Sequence, residues 1–357
     1  MTTHALTAPT TTRTFGLEEE FMLVDPLTLE QRPRAEAVLA RLATTLAPGT
    51  SAAHEFLGSQ VEHASPVFSD LSRALAELQG FRDKLAHAAQ HEGLVIYSAG
   101  MPFQTAAYPT LTDDPRYERV RDGFREVIAD HQVNGLHVHV AVPNREVGVR
   151  VLGRIRPWLP TLLALSGNSP FWRGVDTGFA SWRTIMMRRW VTGGCPPIFA
   201  DAADYDRRLA ALVGIGGTVD VETVAWNARL SEHYPTVEFR VFDAQLDAAD
   251  SVLLAALARG LVERAIADDA TAMPSIDPEL LDASLWHAAR DGLTAQLVCD
   301  GSLVPAHVAV AALLDHVVLS AADEAFVHDH LLAGSGAERQ REAFAATGVE
   351  GLGTLAS

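Results

Sequence analysis

Cysteine is scarce: Cys195 and Cys299 are the only two in 357 residues, too few for a disulfide framework or a thiolate zinc site, and in keeping with a reducing cytoplasm. Positive charge is short as well. Lys and Arg number 28 against 45 Asp and Glu, a formal net charge of −17, so phosphate backbones and anionic lipid headgroups are repelled and nucleic-acid or membrane partners are not expected. No apolar run approaches the roughly 20 residues that span a bilayer; the stretch 252–258 is cut short by Arg259. The first 14 residues are rich in Thr and Ala, lack an apolar core or a basic cluster, and read as a disordered tail rather than a targeting signal. Internal repeats, low-complexity linkers and composition breaks are also missing, so residues 15–350 read as a single domain with small-molecule partners.

What the chain has is apolar residues, 48% of the total, enough for a large core. Ser65-Pro66 ahead of Phe68, Leu71, Leu75, Leu78, Phe81 and Leu85 predicts a long amphipathic helix, and Asp114-Pro115 opens another. Helical spacing also covers 34–46, 147–166, 203–213, 249–267, 279–298, 304–333 (as two helices) and 337–346. Short alternating stretches predict strands at 14–24, 58–63, 94–98, 135–142 and 236–242. They do not alternate with helices in βαβ units. The expected class is therefore α+β, a largely antiparallel sheet with helices packed on one face and the other face open.

Several of these strands carry polar side chains on one face. Period-2 geometry puts Glu18 and Glu20 together, opposite Phe15, Leu17, Glu19, Phe21 and Leu23. His137 and His139 share a face in Gly-Leu-His-Val-His-Val, as do Glu238 and Arg240 between Val237, Phe239 and Val241. Glu62 lies where a strand ends, with Glu55 seven residues earlier. Taken singly, each set has a plain structural explanation: a solvated strand face, a packed imidazole pair, a salt bridge within a sheet. Their repetition over four segments predicts a polar floor on the open face. Side-by-side carboxylates need a cation, and hard oxygen ligands suit Mg²⁺ or Mn²⁺.

Residues 167–200 hold Arg173, Arg183, Arg188 and Arg189 against one acid, Asp176, together with Trp172, Trp182 and Trp190. Punctuated by glycine and proline, the stretch reads as a long ordered loop whose arginines either grip phosphates or carboxylates or neutralise nearby acids. Gly214 to Thr218 lacks the lysine and spacing of a phosphate loop. Cys195, with no identifiable base, reads as a structural thiol.

Six stretches, in order, resemble the carboxylate-amine ligases, or type 2 glutamate-cysteine ligases, of the glutamine synthetase-like superfamily. They are Phe-Gly-Leu-Glu-Glu-Glu-Phe (15–21), Ser-Gln-Val-Glu (59–62), Gly-Leu-His-Val-His-Val (135–140), Asn-Ser-Pro-Phe-Trp (168–172), Arg-Thr-Ile-Met-Met-Arg-Arg-Trp (183–190) and Pro-Thr-Val-Glu-Phe-Arg-Val-Phe-Asp (235–243). The resemblance implies a glutamine synthetase-like catalytic domain that uses ATP as co-substrate. A carboxylate, the γ-carboxylate of glutamate, would be phosphorylated and then joined to cysteine or another amine. Position by position, it assigns Glu18, Glu20, Glu55, Glu62, His137 and Glu238 to divalent metal and Arg240 to the transferring phosphate, with Glu238 and Arg240 as the catalytic pair. Arg183, Arg189, Arg229 and His139 become candidates for nucleotide phosphate or substrate carboxylate. ATP and small amino-acid or amine substrates are the implied partners, and self-association is compatible with them.

One departure stands out. Trp226-Asn227-Ala228-Arg229-Leu230-Ser231 replaces the family's Trp-Asp-x-Arg-Pro-Ser, which leaves two expectations open: an Arg229 freer to meet a substrate carboxylate with an acceptor other than cysteine, or an Asn227 that hydrogen-bonds the same neighbour as the acid and leaves the acceptor unchanged. Two other readings of the same residues are a zinc-dependent hydrolase and a non-catalytic ATP- or ligand-binding relative. The excess of carboxylates over imidazoles and the arginine-rich loop count against the hydrolase.

Overall fold

The computed structural model describes residues 13–46, 49–268, 270–331 and 334–356. Its main sheet has seven strands: β1 (Phe15–Val24), β2 (Ser51–His54), β3 (Gln60–Ala64), β4 (Val95–Tyr97), β5 (Gly135–Ala141), β8 (Ala228–Leu230) and β9 (Thr236–Asp243). Between β5 and β8 lies a small hairpin, β6 (Phe171–Trp172) and β7 (Val175–Asp176); a second, β10 (Gln296–Cys299) and β11 (Ser302–Pro305), follows later. The strand order is β2-β3-β1-β5-β9-β8, with β4 pairing the far half of β1, and every pairing is antiparallel. The α+β class expected from the sequence is the one observed.

The helices are α1 (Ala35–Leu42), α2 (Leu71–Gln90), α3 (Pro115–Phe124), α4 (Arg145–Ile155), α5 (Leu159–Ser166), α6 (Trp182–Met187) and α7 (Ala202–Gly214). After the sheet come α8 (Ala248–Ala267), α9 (Pro278–Asp291), α10 (Ala306–His316), α11 (Ala321–Leu331), α12 (Gly336–Thr347) and α13 (Val349–Gly353). Leu17, Val138, Val140, Val237, Phe239 and Val241 form the packed face of the sheet in one core with α8, which is buried nearly all round from Ala248 to Ala265. Each such Val, Leu or Phe contributes roughly 1.5–3 kcal/mol on burial. Glu19 also lies on this packed face. It is kept there by Arg82 of α2 (Nη2 to Oε1, 2.5 Å) and the Ser251 hydroxyl of α8 (2.7 Å).

Local chemistry moved several boundaries. Ser65-Pro66 does not cap α2: Asp70 does, its carboxylate accepting from the Arg73 amide at 2.8 Å, while Phe68 bridges back to Phe15. Pro157 and Pro160 split the helix expected over 147–166 into α4, a 3₁₀ turn and α5. The helix expected to run to 298 stops at Asp291, where Gly292 takes φ of +54°, and 296–299 becomes a hairpin strand. The stretch 167–200 is not all loop, since it holds the β6–β7 hairpin and α6. Of the tail expected over 1–14, residues 1–12 lie outside the described residues; Arg13 pairs with Glu263 at 3.2 Å. Among the described residues no helix is long and apolar enough to cross a membrane.

Candidate functional site

Antiparallel register assembles the polar floor. Glu20 lies opposite Glu62, Glu18 opposite His137, and His139 opposite Glu238, which in turn faces Arg229 of β8. A β-bulge in β9, between its pairings with Leu136 and Val138, inserts one extra residue, so Phe239 and Phe242 both reach the core. The cavity above this floor has a volume of about 390 Å³, in the range of small-molecule sites. It is lined by Glu18, Glu20, Glu55, Glu62, His137, His139, Arg229, Glu238 and Arg240.

The acids fall into two groups with opposite electrostatics. Burial pushes Glu20 up to about 8, and repulsion from Glu55 adds to it, against Arg183 and the Gly135 amide, which donates at 2.7 Å. Burial also raises Glu55, and it lifts Glu62 well above the usual range, reinforced there by the charges of Glu55, Glu18 and Glu20. Three carboxylates that resist ionising together in one cavity would be relieved of their mutual repulsion by a cation. In the second group burial would raise Glu18, but the neighbouring imidazoles of His137 and His139 hold it well below. Burial likewise opposes ionisation of Glu238, yet Arg240 and Arg229 keep it far down.

The donor set fits a divalent ion. Glu18, His139 and Glu238 each present a ligand atom within 4.8 Å of the other two. His139 Nδ1 meets Thr236 Oγ1 at 3.0 Å, while its buried Nε2 makes no hydrogen bond and lies 3.3 Å from Glu18. Thus His139, read from sequence as a nucleotide contact, sits in the tightest acid and imidazole trio. His137 stands between the groups, 3.2 Å from Glu18, 3.8 Å from Glu20 and 3.9 Å from Glu238. Burial and Arg240 bring it down to about 4, so it is neutral and able to ligate at pH 7.

The arginines are placed differently from expectation. Arg240 stays in the cavity: its Nη1 donates to Glu238 Oε1, and its buried Nε has no partner. Arg229 is not free. Its Nε and Nη2 clamp Glu238 at 2.7 and 3.2 Å, and Nη1 donates to the carbonyls of Val221, Glu222 and Val224. The backbone carbonyl of Asn227 accepts from the Arg240 amide, as that of any residue there would, and its buried side-chain Oδ1 has no hydrogen-bond partner. Arg183 is buried behind the floor, its guanidinium donating to the Arg240 carbonyl at 3.3 Å with Asp243 at 3.8 Å. Arg189, past the end of α6, does not line the cavity and pairs with Asp130 at 2.6 Å. Arg173 also pairs with Asp130, and Arg188 with Asp282, so most of the positive stretch neutralises acids.

Sequence reasoning passed over one wall. Phe56, Tyr117 and His131 join Trp190 at one end, with Arg116 of α3 beside them. No motif marks Phe56, Tyr117 or His131, and only Trp190 falls in a stretch that the sequence singled out.

The sequence profile described as glutamate-cysteine ligase family 2 matches residues 14–342. A protein of Nocardia farcinica, provisionally named glutamate–cysteine ligase 2-1, is 42% identical over 346 residues, 93% of this chain and 89% of that one. One from Frankia alni, provisionally named glutamate–cysteine ligase 2-2, is 41% identical over 359 residues and 94% of each chain. The crystal structure of a glutamate–cysteine ligase from Francisella tularensis in complex with AMP superposes with a TM-score of 0.74 at 12% identity, over 97% of this chain and 87% of that one. At that identity the likeness is one of fold.

Proposed function

The chain belongs to glutamate-cysteine ligase family 2 and is an ATP-dependent ligase, and from this premise we propose that it joins the γ-carboxylate of glutamate to an amine through an acyl phosphate. The observation that carries the reading is the convergence of two acid groups and Arg240 on one cavity. Glu18, His139 and Glu238 would hold one divalent ion and Glu20, Glu55 and Glu62 another, with His137 between them. Mg²⁺ or Mn²⁺ bound there supplies charge neutralisation for the ATP phosphates and the transferring phosphoryl group.

The protein's own residues supply the rest. Glu238 fixes Arg240, and the unpartnered Nε of that arginine is left to meet a phosphoryl oxygen as negative charge shifts in the transition state. Arg229 holds Glu238 from the other side, so the carboxylate does not swing when the phosphate departs. Arg183 braces the backbone of Arg240 from behind the floor. We assign the reaction to the cytoplasm on the scarcity of cysteine.

Incubation with ATP, Mg²⁺, glutamate and a panel of amines tests the proposal. Amine-dependent release of ADP and phosphate is the expected result. ADP release with none of the amines would sink it.

A further inference from the structure

α2 packs on the side of the sheet opposite the polar floor: its Phe81, Leu85, Ala88 and Ala89 are buried in one cluster with Phe21, Leu23 and Val61. The other side of this helix is exposed and carries Asp83, His87 and, one residue past the helix end, His91. Steps of four residues set these three in one row along the helix surface. The row persists past Gln90 because His91 keeps helical dihedrals, φ −64° and ψ −21°, and its amide still donates to the His87 carbonyl at 3.4 Å. With the end of α1 the row forms a groove, lined also by Arg41, Thr45 and Lys84.

The two imidazoles meet edge to face with centroids 4.8 Å apart, and Nε2 of one lies 3.3 Å from Nε2 of the other. Among the described residues neither ring has another partner. The separation is longer than the roughly 2.7–3.2 Å usual for a hydrogen bond from N–H. It matches two nitrogens on one tetrahedral ion, since bonds of about 2.0–2.1 Å at the tetrahedral angle place them about 3.3–3.4 Å apart.

The surroundings also favour a cation. The pair sits at the C-terminal end of a 20-residue helix, where unpaired carbonyls concentrate partial negative charge. Asp83 stands one turn before His87, and Arg41 is already neutralised by Glu92 at 2.9 Å. Lys84 opposes the ion, but on a flexible stem that lets its ammonium turn out to water. Imidazole nitrogen suits Zn²⁺ and its transition-metal neighbours, whereas Mg²⁺ takes oxygen. The pair therefore selects a different ion from the one the floor takes.

We propose that His87 and His91 form a separate metal site, for Zn²⁺ or a like transition-metal ion, with water or the Asp83 carboxylate completing its shell. This site stands independently of the ligase reading. Bridging one helical turn, the ion pins the C-terminal end of α2, the helix whose Arg82 holds Glu19 of β1 in the core. Its effect is on the stability of that layer.

Calorimetric titration of the full chain with Zn²⁺, in millimolar Mg²⁺ to compete for the floor, tests the site. One equivalent bound by the wild type should be lost, or held at least 10-fold more weakly, in each of His87→Gln and His91→Gln. Glu18→Gln, which breaks the trio of the floor, should keep that equivalent. The rise in thermal midpoint that Zn²⁺ gives the wild type should shrink in both histidine variants. Both change exposed side chains, so their circular dichroism spectra should match the wild type. Zn²⁺ binding that is equal in the wild type and both histidine variants would place the ion elsewhere and overturn the proposal. No Zn²⁺ bound by the wild type would show that the two rings merely share a proton, and would overturn it as well.

Discussion

At the scale of single residues, Glu238 is the crossing point of the site. Its two oxygens receive Arg229 and Arg240 while it stands within ligand reach of Glu18 and His139. Glu238→Gln keeps the shape but removes the charge that orders both arginines and completes the trio. We expect kcat to fall by roughly 10²–10³ or more, with the far-ultraviolet circular dichroism spectrum unchanged; near-normal turnover at ordinary Mg²⁺ would rule out a ligand role. Arg240→Lys should be comparably severe, because an ammonium cannot hold Glu238 and a phosphoryl oxygen with the fixed fork of a guanidinium. A variant retaining most of its rate would reassign Arg240 to a structural pair with Glu238.

At the scale of elements, β1 does two jobs with three consecutive glutamates. Glu18 and Glu20 face the cavity, while Glu19 points into the core and depends on Arg82. Burial would raise Glu19, but Arg82 and its hydrogen bonds hold it down as an ion. Arg82→Met strands that carboxylate among apolar side chains, with only Ser251 as a partner in place of Arg82. The expected loss is about 3–5 kcal/mol, read as a lower midpoint in urea unfolding. Glu18 and Glu20 act on the opposite face, so Mg²⁺ should still raise the thermal midpoint of this variant. A midpoint within experimental scatter of the wild type would show that Glu19 is protonated in the fold.

At the scale of the whole molecule, the carboxylates in the cavity tie stability to pH and metal. A carboxylate raised in the fold binds more protons there than in the unfolded chain, so stability falls as pH rises from its ordinary value to its folded one. Glu20, at about 8, carries that window up to about pH 8, and Glu55 and Glu62 act in the same direction. Below about pH 6.5 the picture is mixed, because His63, His131 and His137 are lowered to about 4, 3 and 4 and gain stability as pH rises. Between pH 6.5 and 8 those histidines are neutral in the fold and shed their last protons in the unfolded chain near the lower end, while the raised His139 acts with the acids, which dominate. With EDTA present, the thermal midpoint should therefore drop across this interval. Millimolar Mg²⁺ should reduce the drop, and its stabilising effect should be larger at pH 8 than at pH 6.5. A midpoint that is flat with EDTA and indifferent to Mg²⁺ would contradict the seating of cations on these carboxylates.

The sequence by itself determined which side chains could meet. Alternation along a strand is a property of the backbone alone, so Glu18 with Glu20, His137 with His139 and Glu238 with Arg240 were legible as shared faces, and the α+β class followed from the same periodicities. Tertiary structure decided what those side chains do. Arg116 finds Asp220 across 104 positions of chain, and Arg82 finds Glu19 across 63. Strand register set Arg229 against Glu238, and the end of a short helix turned Arg189 toward Asp130 and away from the cavity. An arginine takes whichever acid the packed chain brings within a few ångströms. The choice of partner, and with it the line between a substrate contact and a neutralised charge, is written in long-range packing and not in local spacing.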